Sequence, residues 1–213
     1  MKVVQIANGV FAENCYLIID EPTRQSVIVD PGEEAGLILH KIEEAGAQPV
    51  AILLTHAHVD HVLGVEQVAR KTGAIVWLHP ADRPLYDAVG EQAGWFGLVP
   101  PEEQPPPDRD LVAGQQLQVG GLSFDVRHTP GHSPGSVCFV GHGAVFSGDV
   151  LFAGSIGRTD LPGGDFETLI ASIERELLPL PDDTIVYSGH GPETTIGRER
   201  RTNPFLTRIS HSA

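Results

Sequence analysis

LLTHAHVDHVLG, residues 53–64, sets three histidines and an aspartate within six positions directly behind an apolar run. Histidine and aspartate are poor strand formers and costly to bury. One such residue at a strand end is ordinary. His56, His58, Asp60 and His61 together imply something held between them that offsets the cost. In an extended segment, residues two apart point the same way, so His56 and His58 share a face. Asp60 and His61 are neighbours where the chain turns into a helix and reach past that face. The pattern differs from HExxH, in which one helix face carries both histidines.

The arrangement recurs downstream. LSFDVRHT, residues 122–129, leads to PGH and His132; AVFSG, residues 144–148, ends at Asp149; TIVYSG, residues 184–189, ends at His190. Each apolar segment delivers a histidine or an aspartate as it enters a loop. If these ends meet along one edge they supply imidazole and carboxylate donors, with no thiolate among them. A catalytic zinc takes about three protein ligands and keeps a position for water. Seven candidates are too many for one ion and suit two that share a carboxylate. His56, His58 and His132 are assigned to the first, and Asp60, His61 and His190 to the second. Asp149 bridges, because a carboxylate has two oxygens and a neutral imidazole cannot bridge.

Composition bounds the rest. The chain has 213 residues, 41% hydrophobic and 20% charged, which is enough for a packed core. No apolar run is long enough for a membrane span, and the N-terminus does not read as a secretory signal. Cys15 and Cys138 lie in strand-like stretches and read as buried thiols rather than a disulfide framework. These features point to a cytoplasmic protein. The net charge of −14 opposes binding to nucleic acid or anionic membranes, and the basic GRERR stretch at 197–201 is interrupted by Glu199.

Strands are expected at KVVQIA, NCYLIID and SVIVDPG. A helix over AGLILHKIEEAG follows, carrying Leu37, Leu39, Ile42 and Ala45. Then come a buried strand at VAILLT, a helix over residues 60–73 that Asp60 caps, a strand at AIVWLHP and a helix over residues 81–94. The proline-rich segment 99–110 reads as a surface loop within one domain, since ligand-type residues fall on both sides of it. The second half repeats strands and then a helix, residues 165–180, with Leu169, Ile170, Ile173, Leu177 and Leu178 on one side. DTIVYSG reads as the last strand. Two mixed sheets packed together with helices outside suit this order.

THAHVDH, PGHSPGS, SGD and SGHG, in this order, resemble the metallo-β-lactamase-fold hydrolases over nearly the whole chain. The Asp-His ending of the first motif is similar to the glyoxalase II branch. GSIGRTDLPGGD and GHGPETTIGRERRTNPF look like the short bacterial glyoxalase II-like proteins. The resemblance implies an α+β, four-layered αββα sandwich and two divalent metal ions, zinc first, with iron or manganese also used in the family. It implies hydrolysis of a small-molecule thioester, with S-lactoylglutathione as reference substrate, by attack of a hydroxide between the metals, which Asp60 orients. Full-length glyoxalase II carries a further C-terminal helical domain that supplies basic residues for glutathione. Here one domain over 1–213 is expected without it, as a monomer or small homo-oligomer.

Several residues have two readings. Trp95 and Phe96 are candidates for a hydrophobic wall over the site, or for core packing. Arg158 is a candidate substrate contact or the partner of Asp160 in a salt bridge. Arg198, with Arg200 and Arg201, is a candidate for substrate carboxylates, or part of a solvated helix face around Glu199. His128 reads as a hydrogen-bonded histidine behind the ligands; His40, His79, His142 and His211 read as surface or packing residues. Glycines 131, 148, 189 and 191 allow tight turns beside the metals. A competing function is a persulfide dioxygenase with one iron on His56, His132 and Asp149. A small phosphodiesterase, a β-lactamase and a metal-binding protein without catalysis stand behind it.

Overall fold

The computed structural model describes residues 1–207, so His211 lies outside the described residues. Two six-stranded sheets face each other. The first holds β1 (Lys2–Asn8), β2 (Glu13–Ile19), β3 (Gln25–Val29), β4 (Gln48–Leu53), β5 (Ile75–Leu78) and β6 (Arg109–Asp110) in chain order. β1 to β3 are antiparallel, and β3 to β6 are parallel. The second sheet starts with β7 (Gln116–Val119), β8 (Leu122–His128), β9 (Val137–Gly141) and β10 (Ala144–Gly148), all antiparallel. A small hairpin, β11 (Leu151–Phe152) and β12 (Ser155–Ile156), interrupts the chain. β13 (Ile185–Ser188) then returns parallel to β10, and β14 (Thr194–Thr195) closes the edge.

The strand pattern explains the layering. Along β2, Cys15, Leu17 and Ile19 face one side, and Tyr16 and Ile18 the other. Along β10, Ala144 and Phe146 face the partner sheet, while Val145 faces away. Both faces of each sheet are therefore apolar and need cover. Between the sheets lie Val27, Leu53, Phe124, Phe139 and Phe146. The outer face of the first sheet is covered by α1 (Ala35–Ala45), α3 (Val65–Thr72) and α5 (Val89–Phe96), the last following the short α4 (Arg83–Asp87). The outer face of the second is covered by α6 (Phe166–Ser172), its π-helical continuation Ile173–Leu177, and α7 (Ile196–Thr202), ahead of the short α8 (Pro204–Thr207). The result is the expected αββα sandwich.

The structure differs locally from the sequence expectation in five places. The helix over 60–73 is two helices, α2 (Val59–Val62) and α3, and His58, not Asp60, occupies the position before the first. The break falls at Gly64, whose N–H donates to Pro31 O and whose Cα packs on that backbone too closely for a side chain. The 81–94 segment is also divided, with a short 3-10 turn over Pro80–Asp82 before α4 and α5. The proline-rich loop ends earlier than 110, because Arg109 and Asp110 pair with β5. β13 is not the last strand. Helix α1 buries Ala35, Ile38 and Ile42 most completely, with Leu37 and Leu39 packed at the margin.

Phe146 is fully buried and packs against Tyr16 and Tyr187, with ring centroids 5.4 and 5.1 Å away. It also lies on the strand that runs into Asp149. Phe146→Ala should lower the free energy of unfolding by about 3–5 kcal/mol, measured by urea denaturation.

Candidate metal centre

Parallel strands point their carboxyl ends the same way, and loops at such ends form sites. Here both sheets do so at one edge. β4 runs into His56, His58, Asp60 and His61; β8 into His132; β10 into Asp149; β13 into His190. The donor atoms of His56, His58 and His132 gather into one group, and those of Asp60, His61 and His190 into another. In the first, His132 Nε2 is 2.8 Å from His58 Nδ1 and 3.2 Å from His56 Nε2. In the second, Asp60 Oδ2 is 3.1 Å from His190 Nε2 and 3.7 Å from His61 Nε2. Asp149 lies between them: Oδ2 is 3.6 Å from His132 Nε2 and 3.6 Å from His190 Nε2, and Oδ1 is 3.4 Å from His61 Nε2.

The hydrogen bonds behind the ligands fix what these atoms are. A carbonyl oxygen only accepts, so a ring nitrogen bonded to one carries the proton. His132 Nδ1 donates to Arg158 O at 2.8 Å, and His190 Nδ1 to Phe11 O at 3.2 Å. Asp30 accepts from Thr55 N and Thr55 Oγ1, and its Oδ2 also takes the Nδ1 proton of His61 at 3.0 Å. Because the Thr55 hydroxyl proton goes to Asp30, Thr55 Oγ1 accepts from His56 Nδ1 at 3.0 Å. His56 and His132 are thus left with Nε2 lone pairs facing each other across 3.2 Å. Two lone pairs at that distance repel, and a cation held by both nitrogens together with His58 Nδ1, 2.8 Å from His132 Nε2, would turn the contact into an attraction.

The second group makes the same demand differently. His61 Nε2 and Asp149 Oδ1 are buried without a hydrogen-bond partner. Burial works against charge on His61, yet Asp149 and Asp60 raise its affinity for a proton well above the ordinary histidine value. The carboxylates therefore favour positive charge at that point. In the first group, burial and then His132 push His58 down to about 3, so it is a neutral donor at neutral pH. Burial and then His61 likewise hold His56 well below the ordinary value. His56 and His58 kept neutral in one group, and an anion-rich second group sharing Asp149, fit divalent cations.

Four residues missed in the sequence hold this frame. Asp30 follows β3 directly, in a left-handed conformation with φ 50°, which aspartate tolerates better than most residues. That turn aims its carboxylate at Thr55 and His61. Asp82, beyond β5, accepts from Ala57 N at 3.0 Å, Ser133 Oγ at 2.7 Å and Gly135 N at 2.6 Å, tying the His56–His58 loop to the His132 loop. Gln92 on α5 accepts from Val59 N and donates to Ala57 O and Leu85 O. Asn14 donates to Ser188 O and Gly191 O, anchoring the His190 turn. Asp30 and Asp82 obey the strand-end pattern that located the ligands; Gln92 and Asn14 carry no such signal.

A methyl group on Gly189 would run into Asp149 Oδ1 and His61 Cε1, so this glycine lets the β13 turn approach the ligands. The other expected residues are distributed as follows. Trp95, Phe96 and Arg158 line a pocket of about 420 Å³ that also contains His58, Asp60 and Asp149. Arg158 is paired with Asp160 through two bonds of 2.7 and 2.8 Å. Arg198 is exposed on α7 and is not among the lining residues, and Arg200 and Arg201 pair with Asp182. Glu199 is a correction: it is fully buried, accepting from Thr194 Oγ1, Gly154 N and Asn203 Nδ2, and so is no part of a solvated face. His128 donates from Nε2 to Pro134 O at 3.0 Å and stacks on His79. Both cysteines are buried and free.

Two outcomes are expected from this frame. Asp30→Asn keeps the shape but removes the charge behind His61, and should weaken metal binding by about 10–100-fold in titrations against a competing chelator. Stripping metal from the protein should lower its thermal midpoint, since free metal at 1,000 times Kd stabilises the folded state by about 4.1 kcal/mol. An unchanged midpoint would contradict metal binding at these residues.

Comparison with known proteins agrees with this geometry. The model of the Metallo-beta-lactamase superfamily matches residues 8–190. A hydroxyacylglutathione hydrolase, GloC, of Haemophilus influenzae is 44% identical over 210 residues, spanning 97% of this chain and 98% of its own. The BLEG-1 B3 metallo-beta-lactamase superposes with a TM-score of 0.90 at 43% identity, covering 97% of this chain and all of that one. TTHA1623 in a di-iron-bound form gives 0.88 at 46% identity, covering 95% of this chain and all of that one.

Proposed function

We propose, on the premise that this chain belongs to the metallo-beta-lactamase superfamily, that it is a dinuclear metal-dependent hydrolase of the glyoxalase II type, cleaving S-lactoylglutathione or a related thioester. The observation that carries this reading is the pair of donor groups meeting at Asp149. His56, His58 and His132 would hold one ion and Asp60, His61 and His190 the other, with Asp149 placed to serve both. Zinc is proposed first. Iron or manganese suits the same imidazole and carboxylate donors, as the di-iron form of TTHA1623 illustrates for that protein. When bound, such ions supply Lewis acidity toward a carbonyl oxygen and an activated water at neutral pH.

The residues of the chain account for the rest. Asp60, whose Oδ2 lies 3.1 Å from His190 Nε2, would both ligate and orient an attacking water. Burial opposes ionisation of Asp60 and Asp149, but His61 above all holds both below the ordinary aspartate value. Once the imidazoles are taken as ligands, the lining carboxylates hold no proton to donate. A leaving group that departs as a stable anion suits such a site, and a thiolate does so more readily than an amine or an alkoxide. Trp95, Phe96 and Arg158 border the approach to the carbonyl.

Metal analysis of the purified protein, paired with a thioester hydrolysis assay, tests the reading. Two ions per chain with turnover is expected. One iron per chain, with oxygen uptake dependent on glutathione persulfide, would overturn it. Asp149→Ala should leave at most one ion per chain. Its activity should fall by more than the roughly 10–100-fold typical of residues behind the ligands.

A further inference from the structure

We infer that the pocket over the metal centre selects a thioester whose non-reacting part is uncharged and apolar, bulky enough to fill an aromatic cleft, and that it does not recognise the charges of glutathione. This rests on the thioesterase reading and specifies its substrate class.

The pocket is asymmetric. Its floor is the ligand cluster. Its walls are Phe11 from the β1–β2 turn, Leu85, Trp95 and Phe96 from the helices above β5, and Phe152 and Leu161 from the hairpin side. Trp95 is 61% exposed and Phe96 50% exposed, unusual for side chains of this size. Phe11 and Phe96 meet edge to face, with ring centroids 5.1 Å apart, joining the two sides of the mouth. The apolar surface therefore lies within reach of the ligand cluster and remains open to solvent. A ligand group that covers it gains the usual transfer free energy of apolar surface.

The polar groups of the walls are already engaged. The Gln92 amide makes three hydrogen bonds to backbone. Arg158 is the only lysine or arginine among the described lining residues, and Asp160 occupies its guanidinium through Nε and one terminal nitrogen. Glutathione carries two carboxylates and an ammonium. In this pocket, among the described residues, its two carboxylates meet no ammonium and a single guanidinium, that of Arg158, whose charge Asp160 already balances, and a desolvated charge without a partner costs affinity. The net charge of −14 adds no long-range attraction for an anionic substrate.

The walls are also tied to the metal ligands. The carbonyl of Phe11 takes the His190 Nδ1 proton, and that of Arg158 takes the His132 Nδ1 proton. A residue that shapes the cleft is thus joined through its own backbone to a ligand in each donor group.

The test uses zinc-loaded protein and three non-hydrolysable thioethers in calorimetric titrations: S-methyl-N-acetylcysteamine, S-benzyl-N-acetylcysteamine and S-benzylglutathione. The benzyl compound should bind at least about tenfold more tightly than the methyl compound, the expected return for burying an aromatic ring. S-benzylglutathione should bind no more tightly than S-benzyl-N-acetylcysteamine. Phe96→Ala should shrink the benzyl-to-methyl ratio. A ratio near one, or tenfold tighter binding of the glutathione conjugate, overturns the inference. A parallel assay compares phenylacetyl and acetyl N-acetylcysteamine thioesters with S-lactoylglutathione. If the binding order holds but no thioester is hydrolysed, the thioesterase reading fails and the account of the pocket stands. If S-lactoylglutathione is the better substrate, the account of the pocket fails and the thioesterase reading stands.

Discussion

Two unprotonated imidazole nitrogens, those of His56 and His132, face each other at 3.2 Å because their other nitrogens have already given protons to fixed acceptors. The remainder of the molecule is arranged around that unfavourable contact. A shared cation would relieve it, and His58 Nδ1, 2.8 Å from His132 Nε2, completes the group that would hold one. The hydrogen bonds behind the ligands are therefore part of the metal site. They choose the tautomers before any ion arrives, and so remove part of the ordering cost of binding.

The sandwich makes this arrangement affordable. Both sheets end at one edge, and the candidate ligands come from the ends of four strands spread over 135 residues of sequence, from His56 to His190. Three apolar layers hold those strands. Asp82 and Asn14 then tie adjacent loops together, so the ligand positions inherit the rigidity of the core rather than the mobility of loops. Glycine is needed at 189 because the last turn must come within contact of Asp149 and His61.

Much of this was legible in the sequence. Apolar runs ending in histidine or aspartate pointed to His56, His58, Asp60, His61, His132, Asp149 and His190, which the fold brings together, because strand ends are short, local and chemically conspicuous; Asp30, which gathers with His56 and His61, was not among them. The layering was expected from the order of strands and helices in each half and from the resemblance to the metallo-β-lactamase fold, and strands apolar on both faces account for it physically. The division of the 60–73 helix was not legible, because it results from backbone contact between Gly64 and Pro31, far apart in sequence. The burial of Glu199 was hidden for the same reason: its partners Thr194, Gly154 and Asn203 converge only in the fold. Asp30 and Asp82 are different. Both sit just beyond apolar strands, and the strand-end rule applied without regard to motif would have found them.

The convergence of these side chains is proposed to hold two cations with Asp149 between them. Anomalous diffraction from metal-loaded crystals, recorded at the absorption edge of the bound element, tests it most directly. The account predicts two peaks about 3.5–4 Å apart, one bounded by His56, His58 and His132 and the other by Asp60, His61 and His190, with Asp149 reaching both. A single peak, or Asp149 turned away from either ion, would contradict it.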